Sequence, residues 1–99
     1  MTERDADRKG GYAPTKDRLG KRVARIEGQV RGVGRMIDEE RYCIDVLQQI
    51  SAARAALDKV ALELIDDHVR RCVMDASPDT QEAMTQELLT ALGRLVGSR

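Results

Sequence analysis

The residues best suited to chemistry are the two cysteines and the single histidine of this 99-residue chain, Cys43, His68 and Cys72. Thiolates and imidazole are soft ligands that favour copper(I) and zinc. Structural zinc normally takes four protein ligands, and the chain supplies no fourth soft ligand. Two sulfurs and one nitrogen complete a trigonal copper(I) site. The ligand types therefore favour copper(I), although a histidine on an apolar helix face is more often a core residue.

The spacing of these residues constrains how they could share one ion. His68 and Cys72 are four apart, so on a helix they lie on one face. Cys43 lies upstream in an uninterrupted stretch without Gly or Pro. A continuous helix would put it about 37 Å from His68, whereas zinc–ligand bonds are about 2.0–2.3 Å. A shared ion requires Cys43 from a second, antiparallel subunit. On the same continuous helix Cys43 and Cys72 would lie about 43 Å apart, too far for an intrachain disulfide.

Three helices must position these ligands. The first is predicted from about Lys16 to Glu40. Its apolar positions are spaced three and four apart, as helix packing requires: Leu19, Val23, Ile26, Val30, Val33 and Ile37.

The second helix is predicted to begin near Tyr42 and to end near Ala76. Its expected apolar stripe contains Cys43, Leu47, Ile50, Leu57, Ala61, Leu64, His68 and Cys72. The pair Ser77-Pro78 predicts the start of a third helix, with a competing start at Asp79. Its apolar positions are Met84, Leu88, Ala91, Leu92 and Leu95, and Gly97 is an expected stop.

These elements predict an all-α, three-helix protomer built on a long antiparallel hairpin. We expect one domain over residues 16–97, preceded by a disordered arm over residues 1–15. The chain has no Trp or Phe and only two Tyr. Because narrow aliphatic stripes on long helices need a partner to cover them, we expect an oligomer.

Charge is concentrated in the first helix. The whole chain is neutral, but residues 16–35 carry seven basic side chains against two acidic ones. Such a segment can bind the phosphates of DNA, although a charged helix face is as often simply solvated. The residues selected on charge are Arg18, Lys21 and Arg25.

Other function classes receive little support from the sequence. It has no nucleophile, base and orienting group in a recognisable arrangement, so an enzyme is not expected. We find no signal peptide, lipidation motif or apolar run long enough for a membrane span. These observations predict a cytoplasmic protein with reduced thiols and no membrane partner.

Three motifs together resemble the CsoR-type copper-sensing transcriptional repressors: RIEGQVRG at 25–32, YCIDVLQQISA at 42–52 and HVRRC at 68–72. The resemblance covers about residues 16–97. It implies an antiparallel dimer that pairs into a tetramer. It also implies that Cys43 of one subunit and His68 and Cys72 of another hold copper(I). The apo form would bind operator DNA, and copper(I) would release it.

The resemblance extends to residues around the ligands and at the DNA. Arg22 and Lys59 match family positions implicated in DNA contact. Tyr42 and Glu87 match positions that couple the metal site to the third helix, although the Glu87 match needs a one-residue gap. A copper donor protein is a further expected partner.

Subtypes of the family differ in their ligands. Nickel and cobalt sensors add histidines near the N-terminus, and this arm has none. Persulfide sensors lack the histidine that is present here as His68, and formaldehyde sensors lack the second cysteine, here Cys72. These comparisons favour copper. The alternatives are a cysteine-based persulfide or redox-sensing repressor of the same fold, and a copper-buffering protein without DNA binding.

Overall fold

The computed structural model describes residues 12–97, except for the side chain of Ala13. A 3-10 turn at Ala13–Thr15 leads into helix α1 (Lys16–Asp38), which is followed by α2 (Cys43–His68). A π-helical segment (Val69–Val73) and α3 (Pro78–Gly97) complete the order. Residues 12–97 contain no strand. The prediction of an all-α, three-helix protomer is confirmed. Residues 1–11, most of the predicted arm, lie outside the described residues.

Residues 13–64 form one compact unit in which α1 packs against α2. Leu19 and Ile26, two turns apart on α1, and Val60 of α2 are each at most 8% exposed. Ala56 and Leu64 pack around them. Because seven residues bring a helix back to nearly the same face, this spacing places both α1 residues against α2.

The predicted apolar stripe of α2 is not its buried face. The buried positions are Val46, Ala53 and Val60, seven residues apart. By contrast, Leu47 is 57% exposed and Leu57 is 49% exposed. Leu64, which belongs to the predicted stripe, does pack against the core. Helix α2 therefore carries a second row of apolar residues, and their spacing does not reveal which row packs inside the protomer.

Helix α1 ends at Asp38, two residues earlier than predicted, and the connection to α2 follows. Arg41 N–H donates to the Met36 carbonyl at 2.9 Å, and Glu40 N–H donates to the Ile37 carbonyl at 3.0 Å. These two bonds form a Schellman motif, which needs a left-handed residue at its centre. Glu40 fills that position with φ 55, where glycine is usual.

We expect Glu40→Gly to stabilise the fold. A left-handed non-glycine residue costs roughly 1–2 kcal/mol, part of which the greater unfolded-state entropy of glycine offsets. The net gain should be about 0.5–1 kcal/mol, measured by chemical denaturation at fixed protein concentration. Glu39→Gly is the matched control, because φ is −85 there, and this change should destabilise the protein. A Glu40→Gly protein no more stable than wild type would contradict the prediction.

The unit formed by residues 65–97 contains the π-helical segment and α3. The predicted Ser77-Pro78 start of α3 is confirmed, and Gln81 N–H donates to the Ser77 carbonyl at 2.7 Å. The Gln81 side chain also donates to the Met74 carbonyl at 3.1 Å. These bonds tie the start of α3 to the residues that follow the π-helical segment. Across residues 12–97, every helix is too short or too polar to cross a lipid bilayer.

Candidate metal centre and basic surface

The first thiol lies at the start of α2. Cys43 is the first residue of the helix and is exposed, and Tyr42 immediately before it is 68% exposed. The helix begins after the polar connection at 39–42, so its first turn leaves the Cys43 side chain accessible. A thiol in this position is available to a ligand or to another chain.

The other two candidate ligands, His68 and Cys72, lie where α-helical bonding ends. His68 is the last residue of α2, and Cys72 belongs to the π-helical segment; both are half-buried. Met74 N–H donates to the Val69 carbonyl at 2.9 Å, an i to i+5 bond that defines the wider turn. The sequence predicted a regular α-helix through to Ala76. Residues 69–73 contain no Gly or Pro that would have signalled the change.

Two ion pairs lie in the same stretch of chain as His68 and Cys72. Arg70 Nε donates to Asp66 Oδ1 at 2.9 Å, and Arg71 Nε lies 3.9 Å from Asp67 Oδ1. The hydrogen bond with Asp66 raises the pKa of Arg70 above its ordinary value. Both carboxylates are therefore engaged with arginines. The Cys72 thiol and the His68 imidazole are the candidate soft ligands of this turn.

Within residues 12–97, no three Cys, His, Asp or Glu side chains of the protomer are grouped as a metal site would need. Both cysteines are free thiols. Cys43 begins α2 and His68 ends it. These two candidate ligands therefore lie at opposite ends of one helix.

The predicted coupling residues, Tyr42 and Glu87, are both exposed. Tyr42 adjoins Cys43 in the chain, and Glu87 lies near the middle of α3. Their roles at the metal site stay predictions.

The basic surface of α1 contains an acidic residue from α2 that the sequence analysis missed. Arg22 Nη1 donates to Glu63 Oε1 at 2.8 Å, and Arg18 Nη2 lies 3.7 Å from Glu63 Oε2. Lys59 lies one turn before Glu63 on the same face of α2. The remaining basic residues of α1 that were predicted to bind DNA are exposed: Lys21 and Arg25. No local pattern around Glu63 indicated that it would meet two arginines of another helix.

A second feature of the helix pair is an uncovered apolar face. It contains a shallow depression whose lining includes Val23, Val30 and Leu57. The large apolar residues exposed on α1 and α2 are Val23, Val30, Ile37, Ile44, Leu47, Ile50, Leu57 and Leu62. Exposed apolar residues in this number commonly mark an interface with another protein.

Comparison with known proteins identifies the family. Residues 15–94 match the metal-sensitive transcriptional repressor family. The chain belongs to this family. It is 48% identical to the copper-sensing transcriptional repressor RicR of Mycobacterium tuberculosis over 91 residues, which cover 89% of this chain and 95% of that protein.

Solved structures of related repressors share the fold. The copper-sensing repressor CsoR with Cu(I), from Geobacillus thermodenitrificans NG80-2, matches with a TM-score of 0.77 and 40% identity. That match covers 86% of this chain and 88% of the other. A variant of the formaldehyde-responsive regulator FrmR from Salmonella enterica serovar Typhimurium matches with a TM-score of 0.74 and 30% identity, covering 80% and 91%. The predicted family resemblance is confirmed. The solved structures that share this fold thus include a copper-sensing repressor and a variant of a formaldehyde-responsive regulator.

Proposed function

We propose that this chain is a copper(I)-responsive transcriptional repressor whose apo form binds operator DNA and whose copper(I)-loaded form releases it. One observation carries the choice of signal: the only two thiols and the only imidazole of the chain lie at the two ends of α2 and in the turn that follows. Membership of the metal-sensitive repressor family supports the regulatory function.

The donor set fits copper(I). When bound, copper(I) accepts a small number of soft sulfur and nitrogen ligands and needs no carboxylate. Cys43, His68 and Cys72 would hold it, and Tyr42 and Glu87 would adjust the hydrogen bonding around them. The pairing of the nearby aspartates with arginines also favours a site of thiolates and imidazole alone.

The site is proposed to form between subunits. A helix of 26 residues is about 39 Å long, so a ligand at its start cannot share an ion with a ligand at its end. An antiparallel partner would bring its Cys43 to His68 and Cys72. The uncovered apolar face of α1 and α2 supports a homodimer, and the family resemblance extends this to a homotetramer.

The proposed DNA surface lies on α1 and the adjoining turn of α2. Its basic residues are Arg18, Lys21, Arg22, Arg25 and Lys59. Operator DNA and reduced thiols both favour the cytoplasm as the place of action, and a copper donor protein could deliver the ion. This proposal assigns no catalytic step to any residue.

An operator titration tests the proposed function. The wild-type protein is titrated onto a duplex that its apo form has selected from a random-sequence library, under anaerobic reducing conditions, with and without one equivalent of copper(I) per subunit. We expect tight binding by the apo form and at least about fivefold weaker binding by the loaded form, since allosteric couplings are typically about 1–3 kcal/mol. Release by persulfide but not by copper(I) would favour the sulfur-sensing alternative. Copper binding without DNA binding would favour a copper buffer.

We expect Lys59→Ala to weaken operator binding and to flatten its salt dependence. Each lost phosphate contact lowers the slope of log K against log salt by about 0.9. Arg54→Ala is the matched control, because it removes the same charge from a different face of α2. Copper(I) affinity should change in neither variant. Equal slopes for Lys59→Ala and wild type would move the DNA surface elsewhere.

A further inference from the structure

The Glu63 carboxylate lies within the basic surface that we propose for DNA. Its Oε1 accepts a hydrogen bond from Arg22 at 2.8 Å. Its Oε2 is enclosed by protein and has no hydrogen-bond partner, with Arg18 Nη2 at 3.7 Å, beyond hydrogen-bond reach. One carboxylate is thus shared between two guanidinium groups, and only one of its oxygens is hydrogen-bonded.

A carboxylate and a phosphodiester offer an arginine the same chemistry, two anionic oxygens that accept from a guanidinium. The Glu63 pair is held by a single hydrogen bond to Arg22 rather than by the stronger two-bond fork. The Arg22 side chain is 34% exposed and the Arg18 side chain is 60% exposed, so a phosphate can reach both from solvent. The arginines can therefore be transferred from the carboxylate to a phosphate.

We propose that Glu63 is an internal competitor for DNA phosphate, which partly neutralises Arg18 and Arg22 in the free protein and so lowers its affinity for DNA. This inference rests on the proposed function, because it assigns the two arginines to the DNA surface. DNA binding then breaks the ion pair between Glu63 and the two arginines and replaces it with contacts between the arginines and phosphate. Fewer counterions are then released from the DNA–protein system than the number of arginines alone would predict.

The same contacts permit an opposite role. Glu63 could hold Arg22 in the orientation that DNA requires, in which case removing its charge would weaken binding. The two roles predict opposite signs, so one substitution separates them. Glu63→Gln suits this purpose because the amide keeps the shape of the side chain and an oxygen that can accept from Arg22.

The test compares Glu63→Gln with wild type on the duplex selected by the wild-type apo protein, over a range of salt concentrations. For each arginine released, competition predicts that the slope of log K against log salt is steeper by about 0.9. The affinity at about 0.15 M salt is then about fivefold higher for each released arginine. Lower affinity at an unchanged slope would assign Glu63 to positioning and overturn the proposal. Unchanged affinity and slope would overturn it as well.

The matched control is Glu39→Gln. It removes the same charge from an exposed ion pair with Arg41, roughly 25 Å along α1 from Arg22, which is well beyond the Debye length of about 8 Å at physiological salt. This control should bind DNA as wild type does. If it gains as much affinity as Glu63→Gln, the effect is one of overall charge and the proposal fails.

A double-mutant cycle and a second probe complete the design. In an Arg22→Gln background, Glu63→Gln should raise the affinity much less, because its main partner is gone; an equal gain would overturn the proposal. Circular dichroism and sedimentation check that each variant keeps its helices and its assembly.

If the wild-type apo protein selects no duplex, the proposed function fails. Retention on heparin then still decides the inference: Glu63→Gln should elute at higher salt than wild type, and identical elution would contradict it.

Discussion

A mixed dimer that combines one Cys43→Ala subunit with one His68→Ala, Cys72→Ala subunit should bind one copper(I) ion tightly. A site shared between antiparallel subunits takes Cys43 from one chain and both His68 and Cys72 from the partner. In the mixed dimer, one such site keeps all three ligands and the other loses all three. If each site belonged to a single chain, neither site would be complete. The expected stoichiometry is one ion per mixed dimer, against two per wild-type dimer.

The measurement needs a pure mixed dimer. Two different affinity tags allow sequential purification, and copper(I) is then titrated against a chromophoric chelator under anaerobic conditions. The homodimers of each variant are the controls, since neither can assemble a three-ligand site. A mixed dimer that competes no better than these homodimers would show that the ligands are not shared between chains.

The His68→Ala variant should still bind copper(I) tightly but should remain on the operator when loaded. Two thiolates satisfy copper(I) in two-coordinate geometry, so the imidazole is not needed for tight binding. His68 lies where α-helical bonding gives way to the π-helical segment. We propose that its second ring nitrogen reaches a coupling residue such as Glu87 or Tyr42 in the assembled site. Ligation of His68 would thus act on the one irregular turn of the described helices.

Operator affinity of this variant is measured with and without one equivalent of copper(I) per subunit. Wild type should lose roughly 5- to 150-fold in affinity on loading, the usual range of allosteric coupling, whereas His68→Ala should lose little. Cys72→Ala is the control on the same turn, and it should lose tight copper binding itself. Normal copper-driven release of His68→Ala would show that the thiolates alone transmit the signal.

Features that depend on local residue chemistry could be predicted from the sequence. Ser77-Pro78 begins α3 because serine and proline suit the first positions of a helix. The three helices follow from their apolar spacing, and the soft ligands are evident from their residue types. Partner contacts between helices were harder to predict. Val46 and Leu47 are both apolar, and only the packing of α1 determines which of them is buried.

Two features of the site depend on contacts that spacing does not encode. The π-helical turn at 69–73 contains no Gly or Pro, so nothing in its composition indicated the wider bonding. Glu63 meets Arg22 only because two helices run antiparallel at a particular register, 41 residues apart in the chain.

The π-helical turn also limits how this part of the chain can change in length. A π turn accommodates one more residue than an α turn over a comparable stretch of backbone. Deleting exposed Arg71 would allow ordinary α bonding to continue, but the cysteine would then follow the histidine by three positions instead of four. Insertions and deletions here therefore alter helix type and ligand spacing together. A relative with a different His-to-Cys interval should consequently also differ in the bonding of this turn.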